Sequence, residues 1–141
     1  MRATTDTPLG TLEAAVGWVA EKRVDVVERR HLRFFRDAIG LAPDDSDDAR
    51  VPATICACFL PEPPPMEAAS AYGAGWLNGG DRFEYVSPLR IGDELHSQSE
   101  LVGVVEKQGR SGTMALLTFV TEFRRPDGEL TMRHVGTRIR R

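Results

Sequence analysis

The groups in this sequence that could carry acid-base chemistry are three histidines and a run of aspartates. The histidines are His31, His96 and His134, and the sequence pairs none of them with a carboxylate in a recognisable catalytic pattern. A histidine without such a partner seldom carries catalysis. We therefore interpret His31 as a core or interface residue, His134 as an edge or interface residue, and His96 as solvent-exposed.

The aspartates lie in the acidic segment Asp44–Asp48. Like charges that cluster in sequence repel one another, so this pattern is typical of a solvated loop. Asp44 and Asp45 nevertheless remain candidates for a displaced catalytic base. The two thiols, Cys56 and Cys58, are one residue apart, which suits neither a redox pair nor a zinc site. We expect small core residues there, with no metal site.

The composition is that of one globular domain, since 141 residues is a common domain length. Hydrophobic residues make up 41% and charged residues 28%, and the formal net charge is -3. This balance does not favour nucleic acid or an anionic membrane as a partner. No apolar run is long enough to span a bilayer, and the N-terminus lacks the apolar stretch of a signal peptide. We expect a cytoplasmic protein.

A proline-rich segment, Leu60–Pro65, divides two patterns, and proline excludes it from a helix or a central strand. Before it, helical spacing predicts a helix near residues 28–39 that ends at Gly40. The apolar face of that helix would include Val24, Val27, His31, Phe34 and Ala38, with Leu32, Phe35 and Ile39 beside them. A short apolar helix is expected after Pro52.

After the prolines, alternation predicts four strands near 81–86, 94–107, 113–124 and 130–140. Turn signals at 109–112 and 126–128 join them as hairpins. The third strand is largely apolar on both alternating sets, which predicts cover on both faces, one by a helix and one by a partner chain. The fold class is therefore α+β.

The second half also carries a family resemblance. The pieces are Asn78-Gly79-Gly80, Pro88-Leu89-Arg90-Ile91-Gly92-Asp93-Glu94-Leu95, and the turns at 109–112 and 127–130. In this order and spacing the chain resembles the N-terminal domain of MaoC-like dehydratases over about residues 24–141. The resemblance implies one hotdog domain over residues 1–141, with an antiparallel sheet wrapped around a central α-helix. It also implies reversible hydration of a trans-2-enoyl thioester to the (R)-3-hydroxyacyl form.

Catalytic members of that family carry a G-D-x-N-P-x-H pattern after the first helix. At this place the sequence reads Ile39-Gly40-Leu41-Ala42-Pro43, so that Leu41 stands where aspartate is expected, and no histidine follows until His96. The resemblance therefore implies a substrate-shaping subunit of a hydro-lyase that is active with a catalytic MaoC-like partner. A homodimer or heterodimer of hotdog chains is expected, and no cofactor beyond a coenzyme A or acyl-carrier-protein thioester.

The resemblance also suggests which residues meet the substrate. The acyl pocket would be lined by Pro52, Ala53, Thr54, Cys56, Phe59, Trp76, Asn78, Gly79 and Gly80. Arginine favours phosphate, and the arginines that would meet the carrier are Arg29, Arg30, Arg33, Arg124, Arg125, Arg138 and Arg140, unless they form a solvated basic face.

Two other functions remain open at this stage. One is a self-sufficient hotdog homodimer, a thioesterase or biosynthetic dehydratase, with Asp44, Asp45 or Glu67 as its base. The other is a non-enzymatic acyl-thioester binder, because a fold does not fix a function.

Overall fold

A computed structural model describes residues 6–141 of the chain. Residues 1–5, part of the N-terminal stretch considered above for a signal peptide, lie outside the described residues. The elements in chain order are α1 (Pro8–Ala14), β1 (Arg23–Val26), α2 (Arg29–Ala38), a 3₁₀ helix (Ala53–Phe59), a second 3₁₀ helix (Glu67–Ala69), β2 (Trp76–Tyr85), β3 (Glu94–Gly109), β4 (Gly112–Arg124) and β5 (Leu130–Arg140).

The five strands form one antiparallel sheet in the order β1-β3-β4-β5-β2. The three later predicted strands and their two hairpin turns are confirmed. The first predicted strand is longer than expected, because β2 begins at Trp76. Strand β1 was missed: Val24 belongs to this edge strand and not to a helix, since it pairs with His96 of β3.

Helix α2 is confirmed, but only part of its predicted apolar face is buried, since Leu32 and the half-buried Phe35 pack into the core. Leu32 is its one buried residue, whereas Phe34 is 73% exposed and Ile39 also faces solvent. His31 helps to cap the N-terminus of this helix, because its Nδ1 accepts a hydrogen bond from the backbone N–H of Glu28 at 3.1 Å. In the part of the chain that the structure describes, no helix is long and apolar enough to cross a membrane.

The segment expected as a central α-helix is a 3₁₀ helix of seven residues, Ala53–Phe59. Proline at 52 and again from 61 onward confines it to this length, and β-branched Thr54 and Ile55 do not favour an α-helix. The proline-rich stretch that follows forms neither helix nor strand, as predicted. We call residues 60–65 the proline strap, since they line the inner face of the sheet.

The inner face of the sheet carries two separate apolar clusters. One lies around α2, the first 3₁₀ helix and the near ends of β3, β4 and β5, and includes Leu32, Ile55 and Phe123. The other lies around α1 and the far ends of β3 and β4, and includes Leu12, Leu101 and Leu117. The second apolar set of β4 is only half-buried in the single chain, which is the face for which a covering partner was predicted.

Candidate functional site

A row of polar side chains crosses the inner face between the two apolar clusters. Ser99 of β3 lies opposite Thr121 of β4, which lies opposite His134 of β5. All three side chains are buried, although the other inward-facing positions of these strands are mostly occupied by apolar core residues. The hydroxyl groups of Ser99 and Thr121 are hydrogen-bonded at 2.6 Å. Buried polar groups in such a row need partners, so they mark a candidate site.

His134 is paired with a carboxylate. Its Nε2 lies 2.7 Å from Oδ1 of Asp81, and its ring is packed against Phe83 with centroids 5.0 Å apart. A side chain at Gly136 would collide with this ring, because an added Cβ would stand 2.7 Å from Cε1 of His134. The expectation of an edge position for His134 is thus wrong, because β5 lies between β4 and β2. The side chain is 2% exposed and belongs to a buried hydrogen-bond network.

Asp81 is held by the bulge in β2 between Asn78 and Gly80. There the side chain of Asn78 accepts a hydrogen bond from the backbone N–H of Gly80 at 2.7 Å and donates one to Asp81 at 2.8 Å. Gly80 has a φ of +143°, which suits glycine. The bulge changes the direction of the side chains that follow it in β2, so that Asp81 contacts His134 of β5.

The charge on Asp81 is stabilised by its donors. Burial alone raises the pKa of Asp81, but hydrogen bonds from Asn78, His134 and Arg138 outweigh it and lower the pKa to about 2. Asp81 is therefore ionised at neutral pH and accepts hydrogen bonds without donating any.

Arg138 joins this network to the proline strap. Its Nη2 lies 2.9 Å from Asp81, and its Nε donates to Glu62 of the strap at 2.8 Å. Burial lowers the pKa of Arg138, but the two carboxylates reverse that effect and leave it raised. One guanidinium is thus matched by two carboxylates, and the strap is tied to the sheet by charge.

Two pockets lie beside the contact between Arg138 and Glu62, and both residues line each of them. The inner cavity is small, about 20 Å³, which is room for about one water molecule. It is lined by Trp18, Leu60, Pro61, Glu62, Pro64, Pro65, Ser99, Phe119, Thr121, His134, Gly136 and Arg138. A more open cleft of about 370 Å³ lies along β2 and is lined in part by Trp76, Asn78, Asp81 and Arg138.

The residues expected to line an acyl pocket fall into two groups. Trp76 and Asn78 line the open cleft, and Gly79 and Gly80 belong to the neighbouring bulge. Cys56 and Phe59 are buried in the first apolar cluster, and Pro52, Ala53 and Thr54 lie at the start of the 3₁₀ helix. Thr54 instead meets β2, with its hydroxyl 3.1 Å from that of Tyr85.

The arginines expected to meet a carrier lie in three different places. On α2, Arg29 and Arg33 bind carboxylates of the acidic loop, and Arg30 binds Glu28. At the β4–β5 turn, Arg124 pairs with Glu122 and Arg125 with Asp93 and Glu129. Arg138 and Arg140 lie at the other end of β5 and face inward, where Arg140 stacks on Trp76 at 4.9 Å. The structure does not bring the seven together.

Of the candidate bases of the acidic loop, Asp45 is exposed and Asp44 is half-buried. Hydrogen bonds from Ser46 lower the pKa of Asp44, and a hydrogen bond from Arg33 lowers that of Asp45. A general base works best with a pKa near the operating pH, so these shifts make both carboxylates weaker bases. Glu67, at the start of the second 3₁₀ helix, is exposed as well.

The remaining candidates from the sequence are His96 and the two cysteines, and none of them belongs to the polar row. His96 is exposed, as predicted, and lies 3.0 Å from Glu94. Cys56 is buried and Cys58 exposed; burial raises the pKa of both thiols, that of Cys56 to about 12. Within residues 6–141, no group of three or more metal-ligating side chains is placed to hold an ion.

Residues 14–134 match the family model described as the FAS1-like dehydratase domain region. The chain belongs to this dehydratase family. The MaoC-like hotdog resemblance of the sequence is thereby confirmed, and the antiparallel sheet agrees with the hotdog fold. Curated proteins offer no significant sequence match.

Three solved structures of this dehydratase fold align with the chain along nearly their whole length. The HadBC (3R-hydroxyacyl-ACP dehydratase) complex from Mycobacterium tuberculosis is 18% identical with a TM-score of 0.67, covering 89% of this chain and 96% of that one. The ChsH1-ChsH2 complex from the same organism is 18% identical with a TM-score of 0.71, covering 94% and 88%. The (R)-hydratase from A. caviae involved in PHA biosynthesis is 17% identical with a TM-score of 0.61, covering 87% and 94%. At these identities the likeness shows the fold.

Sequence reasoning missed Asp81, Glu62, Ser99 and Thr121 as members of the site. The signal available was the alternation of the strands, since Ser99, Thr121 and His134 all occupy positions in phase with buried apolar residues. A polar residue at a position where an apolar residue is expected indicates a buried polar group, and therefore a candidate site.

Proposed function

We propose that this dehydratase-family chain is the substrate-shaping subunit of an (R)-specific enoyl-thioester hydratase, or 3-hydroxyacyl-thioester dehydratase, and that a second hotdog chain supplies the catalytic base and acid. Such a hydro-lyase would act on coenzyme A or acyl-carrier-protein thioesters in the cytoplasm. Neighbours in the fold include complexes whose names join two chains, HadBC and ChsH1-ChsH2.

The observation that carries the proposal is the segment after α2. Hydration of a conjugated thioester needs a base for the water and an acid for the α-carbon. The segment offers Asp44, which is half-buried, and Asp45, which is exposed, both with lowered pKa values, and no histidine. His31, the nearest histidine, accepts the backbone N–H of Glu28 and packs on Phe59.

A partner also fits the exposed edge of the sheet. Strand β2 pairs only with β5, so in residues 6–141 its other edge has no neighbour. Leu77 and Tyr85 on this strand are large apolar residues that face solvent. An unpaired edge with exposed apolar side chains favours pairing with another chain.

The test is hydration of crotonyl-CoA, and of a bulkier enoyl-CoA, followed by loss of the conjugated thioester absorbance. We expect no turnover by this chain alone and turnover after it is mixed with a MaoC-like chain that carries the intact Asp/His motif. Leu77→Arg should abolish this activation by blocking the edge. Val16→Arg, in the loop after α1 and outside the sheet, is the matched control, because Val16 is 46% exposed against 43% for Leu77, and it should preserve the activation.

Full activity of the isolated chain would overturn the assignment and favour the self-sufficient homodimer. Activation that survives Leu77→Arg would show that the partner docks elsewhere than on the β2 edge.

A further inference from the structure

We propose that Arg140 of β5 binds the carboxylate of a small organic acid. Arg140 is only 8% exposed, and within residues 6–141 no carboxylate lies within 4 Å of its guanidinium. Arginine is seldom buried to this degree without a paired anion, because the surrounding protein solvates its charge less well than water does. The guanidinium therefore lacks a counter-ion, which a ligand can supply.

The other six arginines that the sequence offered for an anion each have a carboxylate partner within the chain. The nearest comparison is Arg138, which lies two residues earlier on the same face of β5. It is equally buried, at 7% exposed, and it is matched by both Glu62 and Asp81. Two buried arginines of one strand thus differ in this respect, and Arg140 is the one whose charge is unmatched.

The hydrogen bonds of Arg140 decide which of its N–H groups remain for a ligand. Its Nε donates to the backbone oxygen of Ala69 at 3.0 Å, which fixes the orientation of the guanidinium. Neither Nη atom has a hydrogen-bond partner among the described residues. The fully buried unpaired side-chain atoms of this part of the chain are Oδ2 of Asp25 and Nδ1 of His134. The Nη atoms are not among them, so solvent reaches them and a ligand can do the same.

The two free Nη groups define the chemistry of the ligand. They lie side by side in the plane of the guanidinium and match the two oxygens of one carboxylate. The centre of the guanidinium lies 4.9 Å from the centre of the Trp76 ring. This cation–π contact holds the group in place without neutralising its charge. The apolar cluster around Trp76 includes Met66 and Tyr72, which favours an acid with a small apolar body.

The neighbouring acidic residues limit the ligand to a single negative charge. Around Arg138, the two carboxylates of Glu62 and Asp81 exceed the guanidinium by one negative charge. Across the sheet, Arg140 lies opposite Ala115, which lies opposite Glu106. A doubly charged group such as a phosphate would be repelled by these carboxylates, whereas a carboxylate brings only the charge that Arg140 can match.

The site goes beyond the proposed function, because it requires neither the partner chain nor a thioester. Its test uses the isolated full chain without any hydratase assay, so either idea can fail while the other stands.

Benzoate and benzamide are suitable probes, because they match in shape and differ in charge. Both are titrated into the full chain at pH 7, with affinity measured by calorimetry and the two indole N–H signals followed by NMR. We expect benzoate to bind at least about tenfold more tightly than benzamide, which is the effect of hydrogen bonds between charged groups. Benzoate should shift the signal of Trp76, while that of Trp18, which packs on Phe119, should stay in place. Inorganic phosphate should bind more weakly than benzoate.

Arg140→Met should remove the preference for benzoate while keeping an apolar stem of similar length. Arg133→Met is the matched control, because Arg133 lies on the same strand but faces the other way and pairs with Glu84, and it should keep the preference. Should Arg140→Met fail to fold, the three titrations of the unsubstituted chain decide. Equal affinity for benzoate and benzamide, no binding of benzoate, tighter binding of phosphate, or a preference that survives Arg140→Met would overturn the proposal.

Discussion

Asp81 is the acceptor on which the buried network depends, and Asp81→Asn removes its charge while keeping its shape. The carboxylate accepts hydrogen bonds from Asn78, His134 and Arg138 at 2.7–2.9 Å. An amide retains one acceptor oxygen, so at least one of the three donors loses its partner. We expect the free energy of unfolding at pH 7 to fall by between about 1 and 2 kcal/mol.

Two routes lead to that magnitude. A hydrogen bond to a charged group contributes about 1.5–3 kcal/mol, and the lower part of that range applies because Glu62 still neutralises Arg138. A pKa lowered from 3.8 to about 2 corresponds to roughly 2 kcal/mol at 1.36 kcal/mol per pKa unit. Solvent screening reduces this figure, because the Asp81 side chain is 26% exposed.

The lowered pKa of Asp81 also determines how the free energy of unfolding depends on pH. The pKa of Asp81 is lower in the folded protein than in the unfolded chain, so its contribution is complete above about pH 4 and disappears as the pH falls to about 2. The gap in stability between the parent protein and Asp81→Asn should therefore be constant from pH 7 to about pH 4 and shrink below it.

Urea unfolding followed by tryptophan fluorescence at fixed protein concentration measures these differences. The matched control is Asp47→Asn, because Asp47 meets Arg29 at 2.8 Å but is fully exposed. An exposed ion pair contributes about 0–1 kcal/mol. If the two variants lose the same stability, or if the gap persists undiminished at pH 2.5, then the geometry of the buried network does not govern its energy and the reasoning is refuted.

Two further predictions follow from steric space and thiol chemistry. Gly136→Ala should lower stability by about 1–3 kcal/mol, because the added Cβ would stand 2.7 Å from the ring of His134; a thermal unfolding midpoint equal to that of the parent would contradict this. With iodoacetamide at pH 8, Cys58 should react more slowly than free cysteine, because burial raises its pKa, and Cys56 should react only as the chain unfolds. Rapid labelling of both thiols in the folded protein would count against the buried position of Cys56.

The elements that depend on local patterns could be predicted from the sequence. The β3–β4 and β4–β5 hairpins carry their own turn signals, and Gly40, whose φ is +76°, follows the C-cap of α2 at Ile39. Strand β1 could not be recognised, because four residues are too few for a strand pattern and Val24 happens to fall in phase with the helix that follows.

The polar row could not be assembled from the sequence, because it depends on a register that changes within the sheet. Counted from the turn at Gly109 and Gly112, the pairing of β3 with β4 holds to Gly103 and then shifts by one residue at the bulge before Leu101. A shift of one residue changes which side chains face each other. The contact between Asp81 and His134 also spans 53 residues and depends on a second bulge, in β2.

The proline strap closes the inner face without joining the sheet. Among the backbone hydrogen bonds of residues 6–141, none connects residues 61–65 to a strand, so a displacement of the strap would break no hydrogen bond of the sheet. Its opening would be a local fluctuation with its own small free energy, separate from cooperative unfolding. Amide hydrogen exchange would barely register it, because four of its six residues carry no amide hydrogen. Loss of the charge on Glu62 would remove the ion pair between this segment and Arg138 without breaking a hydrogen bond of the sheet.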